Sequence, residues 1–163
     1  MSVLLTVSLS ATLPLSAASH VDVVKMRTEN QVNPLGIGTS TPRFSWQITS
    51  DRKGVVQTSY QILVASSREK LDRNEADLWN SGERNSDEQL WIPYQGKVLL
   101  SGAQAYWKVR ITTNKGKSEW TEPQLFTIGL LGETKWSGTW IGLEDLQPGE
   151  QKGMHTRLAA RYI

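Results

Sequence analysis

Hydrophobic and polar side chains alternate along several short segments of the chain, with the period of two that is typical of a half-buried β-strand. The alternation is clearest in segments 43–49 and 107–112. The apolar positions are Phe44, Trp46 and Ile48 in the first segment and Trp107, Val109 and Ile111 in the second. Because alternate residues of a strand share one face, we expect these side chains, both tryptophans included, to lie in the core.

Segment 57–66 has apolar residues on both faces of a predicted strand. Its two apolar sets are Tyr60, Ile62 and Val64 on one face, and Leu63 and Ala65 on the other. A strand that is apolar on both faces is covered on both, so we expect it in the middle of the fold and not at an edge.

Further short strands are predicted on either side of these segments, at 21–29, 78–79, 90–94 and 120–128. The last of them follows a turn at 114–116 and is expected to return antiparallel to 107–112. Between the strands, Ser66 and Glu69 have the spacing of a capping box, which predicts one short helical turn.

About seven short strands separated by turn residues, without βαβ alternation or an internal repeat, predict an all-β fold. The expected architecture is an immunoglobulin-like or fibronectin type III-like antiparallel β-sandwich with one short helical turn. We place this domain at residues 20–130.

The first 19 residues have no charged side chain, and an apolar run at 3–15 precedes the small residues Ser16, Ala17 and Ala18. This pattern predicts a signal peptide at 1–19 and export to the periplasm or cell surface of a bacterium. The run is too short for a membrane span with flanks. The alternative interpretation of this segment is a buried strand.

Residues 131–163 have a different residue pattern from the predicted sandwich. Trp136 and Trp140 lie four residues apart in a Gly-containing stretch, and an apolar stretch at 158–163 closes the chain. We expect a linker followed by the truncated start of a second β-sandwich domain. Both tryptophans are expected to pack between the two domains and hold them together.

Composition narrows the function classes. A length of 163 residues fits one ordinary domain, and 18 Lys+Arg against 16 Asp+Glu leave a net charge of +2, too weak to favour nucleic acid or an anionic membrane. The absence of cysteine excludes thiolate zinc sites and cysteine nucleophiles, and only two histidines are present. No phosphate-binding glycine motif occurs. We therefore predict no cofactor, no metal and no membrane span.

The acidic residues are the next candidates, since a glycosidase needs two carboxyl groups across the scissile bond. Eight of them are candidates, and these lie in turn-like segments, where burial is not expected to raise a pKa. These residues are Asp72, Glu75, Asp77, Glu83, Asp87, Glu88, Glu144 and Asp145. We interpret them as solvated loop charges and assign no catalytic residue.

Seven tryptophans are the feature that favours a binding role, because an indole face can stack on a sugar ring. Trp46 and Trp107 are already assigned to the core by their strand phase. The residues left for carbohydrate or domain contacts are Trp79, Trp91, Trp120, Trp136 and Trp140.

Several blocks of the sequence, in this order, resemble the opening of bacterial α-L-rhamnosidases. The blocks are Asn33-Pro34-Leu35-Gly36-Ile37, Thr41-Pro42-Arg43-Phe44-Ser45-Trp46, Gln57-Thr58 with Tyr60-Gln61-Ile62, Asp77-Leu78-Trp79, Tyr106-Trp107-Lys108-Val109-Arg110, and Trp136 with Trp140-Ile141-Gly142. The resemblance covers nearly everything after the predicted leader.

The resemblance implies a parent enzyme that cleaves terminal α-L-rhamnose from plant glycans with inversion, using carboxyl groups of an (α/α)₆ barrel beyond this chain. It implies that this chain is a non-catalytic N-terminal module whose partners are the following domains of the same polypeptide, with plant glycans or rhamnosides as further partners. The alternative is a free-standing carbohydrate-binding or adhesion sandwich.

Overall fold

The computed structural model describes residues 21–132. The predicted signal peptide, almost all of the predicted linker, and the tryptophans Trp136 and Trp140 lie outside the described residues, as do Glu144 and Asp145. The predictions made for them stay predictions.

Nine strands and one short helix make up the described residues. The strands are β1 (Val21–Thr28), β2 (Arg43–Ser50), β3 (Gln57–Ala65), β4 (Trp79–Asn80), β5 (Arg84–Asn85), β6 (Ile92–Pro93), β7 (Gln104–Thr113), β8 (Gly116–Lys117) and β9 (Gln124–Thr127), and the helix is α1 (Arg68–Asp72). Within this part of the chain no helix is long and apolar enough to cross a bilayer.

The strands form two antiparallel sheets. The smaller sheet has the order β1-β2-β6. In the larger sheet β3 and β7 lie side by side in the centre, β4 and β5 pair with the free edge of β3, and β8 and β9 pair with that of β7. The expected all-β sandwich is confirmed.

The core lies between the sheets and is built by the alternating positions of the long strands. Across β3 and β7 the register pairs Tyr60 with Ile111, Ile62 with Val109 and Val64 with Trp107. From the opposite sheet, Phe44 stacks on Trp107 with the ring centroids 4.4 Å apart. Burial of both tryptophans, Trp46 and Trp107, confirms the prediction from strand phase.

The outer face of β3 is covered as well. Leu63 and Ala65 form a second, smaller apolar cluster with Leu71 of α1, and Trp120 packs against it. The prediction that this doubly apolar strand lies inside the fold is therefore confirmed.

The capping box predicted at Ser66 and Glu69 is wrong. The N-cap is Ser67, and it makes no side-chain capping hydrogen bond. The Ser66 hydroxyl instead donates to the Asp77 carboxylate, 2.7 Å away, because a stronger charged acceptor lies within reach.

The predicted number of strands and two of their lengths also need correction. The described residues contain nine strands instead of about seven. The additional strands β5 and β8 were not predicted because they are two-residue pairings without an alternating pattern. The strand predicted at 120–128 is only Gln124–Thr127, and the one predicted at 90–94 is only Ile92–Pro93. Trp91 and Trp120 therefore lie outside strands.

Candidate functional site

A polar groove with a volume of about 590 Å³ lies beside the first residue of β2. It is formed by the end of β1, the loop that follows and the start of β2. The lining residues are Glu29, Gln31, Pro34, Leu35, Gly36, Ile37, Gly38, Thr39, Thr41 and Arg43.

The loop at the base of the groove is fixed by hydrogen bonds to the last strand. The Ile37 N–H donates to the Thr127 carbonyl at 2.8 Å, and the Gly129 N–H donates to the Ile37 carbonyl at 2.8 Å. The two chain segments approach so closely that a Cβ on Gly129 would lie 2.9 Å from the Gly36 carbonyl oxygen. Glycine at position 129 is therefore what allows the loop to close.

A bidentate ion pair forms one wall of the groove. The Arg43 Nε donates to Glu29 Oε1 at 3.0 Å and Nη2 donates to Oε2 at 2.7 Å, while the Arg43 backbone N–H also donates to Oε1 at 2.7 Å. The side-chain hydrogen bond from Arg43 lowers the pKa of Glu29. Both charged groups are thus held in one orientation and neutralise each other.

Trp91 lies next to this ion pair. The Arg43 guanidinium carbon is 4.3 Å from the centroid of the indole, which is a cation–π contact. The backbone N–H of Trp91 donates to the Ser45 hydroxyl at 3.0 Å. The residue is 48% exposed and has a φ of 59°. The backbone of Trp91 is therefore in the left-handed region, and its indole lies beside the groove.

Trp79 has a different setting, at the margin of the core. Its ring centroid lies 6.3 Å from that of Phe44 and 5.4 Å from that of Tyr94, and the side chain is half-buried. Packing accounts for this position, and the predicted carbohydrate or domain contact of Trp79 stays a prediction.

Trp120 packs on the outer face of the larger sheet, and two cationic side chains lie over its ring. The Arg110 guanidinium carbon lies 4.5 Å and the Lys108 Nζ 5.1 Å from its ring centroid. Lys108 donates to the Leu71 carbonyl and to Asn74 Oδ1, and burial lowers its pKa. These contacts attach the end of α1 to the sheet, and a ligand contact of Trp120 stays a prediction.

Several of the carboxyl groups accept hydrogen bonds from nearby side chains. Partial burial of Asp77 opposes its ionisation, yet hydrogen bonds from Lys70 Nζ and from the Ser66 N–H and hydroxyl outweigh this and lower its pKa to about 2. Asp77 is therefore no simple solvated loop charge, which corrects the expectation for this residue. Hydrogen bonds from Arg73 and Ser59 lower the pKa of Glu75 and Glu83.

These directions are opposite to the raised pKa that a general acid needs. Every carboxyl group of residues 21–132 whose pKa departs clearly from its ordinary value is shifted downward. In the same range, no three His, Cys, Asp or Glu side chains come together as a metal site would require.

The sequence predicted Trp91 as a contact residue but did not predict the groove. Glu29 and Arg43 are 14 positions apart and meet only because β1 and β2 pair. The local pattern predicts the two strands but not their pairing, so it could not show that Glu29, which follows β1, meets Arg43, which begins β2.

Comparison with known proteins assigns this sandwich to a family. Residues 23–132 match the family described as "Rha78A-like, N-terminal immunoglobulin domain". An α-L-rhamnosidase of Formosa agariphila is 40% identical over 127 residues, which are 77% of this chain and 13% of that protein.

Two solved structures are similar in fold and sequence. The crystal structure of Streptomyces avermitilis α-L-rhamnosidase complexed with L-rhamnose has a TM-score of 0.70 at 35% identity, covering 76% of this chain and 12% of that one. The α-L-rhamnosidase from Dictyoglumus thermophilum has a TM-score of 0.69 at 34% identity, covering 76% and 14%. This chain thus spans only a small part of the length of these relatives. It belongs to the family of Rha78A-like N-terminal immunoglobulin domains.

Proposed function

We propose that this chain is the non-catalytic N-terminal module of an α-L-rhamnosidase, a larger polypeptide that hydrolyses terminal α-L-rhamnosides. One observation carries the proposal: the similarity covers 76–77% of this chain but only 12–14% of each relative. In those proteins the matching segment is one domain among several hundred further residues.

The chemistry of the described residues supports a structural role for the module. Its carboxyl groups with clearly shifted pKa values are all stabilised in the ionised form, and several of them accept hydrogen bonds from neighbouring side chains. Hydrolysis of a glycoside requires one carboxyl group to hold a proton near neutral pH. The catalytic carboxyl groups accordingly belong to another domain of the proposed enzyme.

The test compares three proteins: the 163-residue chain, the product of the whole reading frame, and that product lacking residues 21–132. We expect the whole product to release the chromophore from an aryl α-L-rhamnoside, and the chain alone to give only the buffer background. The deletion should lower the melting temperature, because the module supports its neighbouring domains.

Two results would contradict the proposal. Turnover that follows the isolated chain through two unrelated columns would place catalysis in the sandwich itself. A deletion that leaves the melting temperature unchanged would remove the supporting role.

We also propose that residues 1–19 are a signal peptide and that the protein is exported. The charge-free apolar start and the small residues Ser16, Ala17 and Ala18 support this. Mass spectrometry of the protein from its host should show a mature chain beginning at Ser19 or His20, and an intact Met1 would contradict export by this route.

A further inference from the structure

Trp91 does not itself line the groove, but its exposed part adjoins it through Arg43, and the two together make up one surface. Arg43 connects them, because it lines the groove and its guanidinium also lies 4.3 Å from the indole centroid. The surface therefore combines fixed polar groups with an aromatic side chain, which is the usual composition of a site for a small polar ligand.

The polar groups are fixed before any ligand arrives. Glu29 and Arg43 hold each other through two side-chain hydrogen bonds, and the Arg43 backbone N–H adds a third. Nη1 of Arg43 donates to none of the residues between 21 and 132 and so keeps its donor capacity for a ligand. Nη1 and the open lone pairs of the Glu29 carboxylate are both held in fixed positions by the ion pair, so they can bind neighbouring hydroxyl groups at little cost in side-chain entropy.

The charge of the surface favours a neutral ligand. The ion pair neutralises itself, and the other polar side chains of the groove are the hydroxyls of Thr39 and Thr41 and the amide of Gln31. An anion would face the Glu29 carboxylate, and a cation the Arg43 guanidinium. A polyhydroxylated ligand meets neither repulsion, and the groove volume falls within the range of about 300–1,000 Å³ found for ligand sites.

The backbone of Trp91 supplies an independent indication. A bulky residue at a φ of 59° is strained, and such strain concentrates at binding and catalytic sites. The side chain is 48% exposed, so it is available for a contact with a ligand. The hydrogen bond from its backbone N–H to the Ser45 hydroxyl fixes the main chain, and the contact with Arg43 keeps the indole beside the groove.

We propose that this surface binds a neutral saccharide, with hydroxyl groups bound by Glu29 and Arg43 and the C–H face of a sugar ring against the face of the Trp91 indole that Arg43 leaves uncovered. The inference goes beyond the proposed function, which requires no ligand on this module.

The test is a titration of the ¹⁵N-labelled 163-residue chain with L-rhamnose, D-galactose and D-glucose, recording amide and indole N–H shifts. We expect at least one sugar to give saturable shifts at Thr39, Thr41, Arg43 and the Trp91 indole. Trp91→Asn should weaken that binding about tenfold, since it removes the aromatic face.

Further variants separate the binding surface from the fold. Arg43→Lys keeps the charge but loses the planar fork, and it should weaken binding as well. Gln31→Ala removes an exposed amide from the groove and should also weaken binding. It replaces Arg43→Lys as the test variant if Arg43→Lys reduces the folded fraction seen in the spectrum. Val98→Ala is the matched control at an exposed position that does not line the groove, and it should bind like the parent chain.

Three results would overturn the proposal: no saturable shift with any of the three sugars, shifts confined to another surface, or unchanged affinity in folded Trp91→Asn. Rhamnosidase activity does not enter this measurement, so a negative result leaves the proposed role of the module unaffected.

Discussion

Trp107 and Trp91 belong to the same sandwich and have opposite environments. Trp107 lies on the central strand β7, is 0% exposed and stacks on Phe44 across the two sheets. Trp91 lies just before a two-residue strand, is 48% exposed and packs against a guanidinium in a strained backbone conformation. The comparison shows that strand phase, and not residue type, decides whether a tryptophan stabilises this fold or remains available for contacts.

The two indoles also differ in how much they contribute to the stability of the fold. Trp107 contributes apolar area to a close-packed interior, where lost volume leaves a cavity. Trp91 contributes a half-exposed cation–π contact with Arg43, which is a much smaller stabilisation. Substitution of Trp107 should therefore lower the free energy of unfolding much more than substitution of Trp91.

The largest effect is expected from truncating the core tryptophans. Trp107→Ala and Trp46→Ala should each lower the free energy of unfolding by about 3–5 kcal/mol, because each leaves a cavity between the sheets. Urea unfolding followed by circular dichroism measures this. Unchanged midpoints in both variants would show that strand phase does not identify the core here.

A buried polar contact should have the next largest effect. Gln57 accepts the Trp46 Nε1–H at 3.0 Å and donates to the carbonyls of Ser86 and Glu88. Gln57→Leu leaves these groups without their partner, so the free energy of unfolding should fall by about 1–3 kcal/mol.

Gln47→Leu on the exposed face of β2 is the matched control for this change and should alter stability far less. Equal effects of the two substitutions would mean that the hydrogen bonds of Gln57 do not stabilise the core.

The long strands of this fold could be predicted from the sequence, and the surface site only in part. The alternating period of β2 and β7 identifies these strands and places Trp46 and Trp107, and apolar residues on both faces identify β3. The pairings of β5 and β8 involve two residues each, too short for any periodicity.

The groove depends on tertiary pairing, which no local pattern contains. Glu29 and Arg43 meet through the register of β1 and β2, and the backbone N–H of Trp91 finds its acceptor, the Ser45 hydroxyl, on β2. Trp91 could be predicted as a contact residue, but its partners could not.

Asp77 is intermediate between the core and the exposed surface, and it makes stability depend on pH. Because its pKa falls from 3.8 to about 2 on folding, its contribution is complete above the unfolded-state value and is lost as the pH falls toward 2. Asp77→Asn should flatten this loss between about pH 4 and pH 2, by less than about 1 kcal/mol, because the pair with Lys70 is about one-third exposed and solvent screens it.

Thermal unfolding at several pH values measures this contribution, with exposed Asp72→Asn as the matched control that keeps the acid-dependent loss. The assignment to Asp77 fails if its asparagine variant shows the same acid profile as the parent chain.

The smallest effect on stability is expected at Trp91, although its effect on saccharide binding is proposed to be large. Trp91→Asn loses the contact with Arg43 but places at a φ of 59° a residue that tolerates left-handed backbone. The two changes oppose each other, so the free energy of unfolding should change by no more than about 0.5 kcal/mol. Trp91→Val loses the same contact and keeps the strain, so it should unfold at lower urea than Trp91→Asn. If Trp91→Asn instead destabilises the sandwich as much as Trp107→Ala, the indole is part of the structural framework, and the contrast between the two tryptophans is lost.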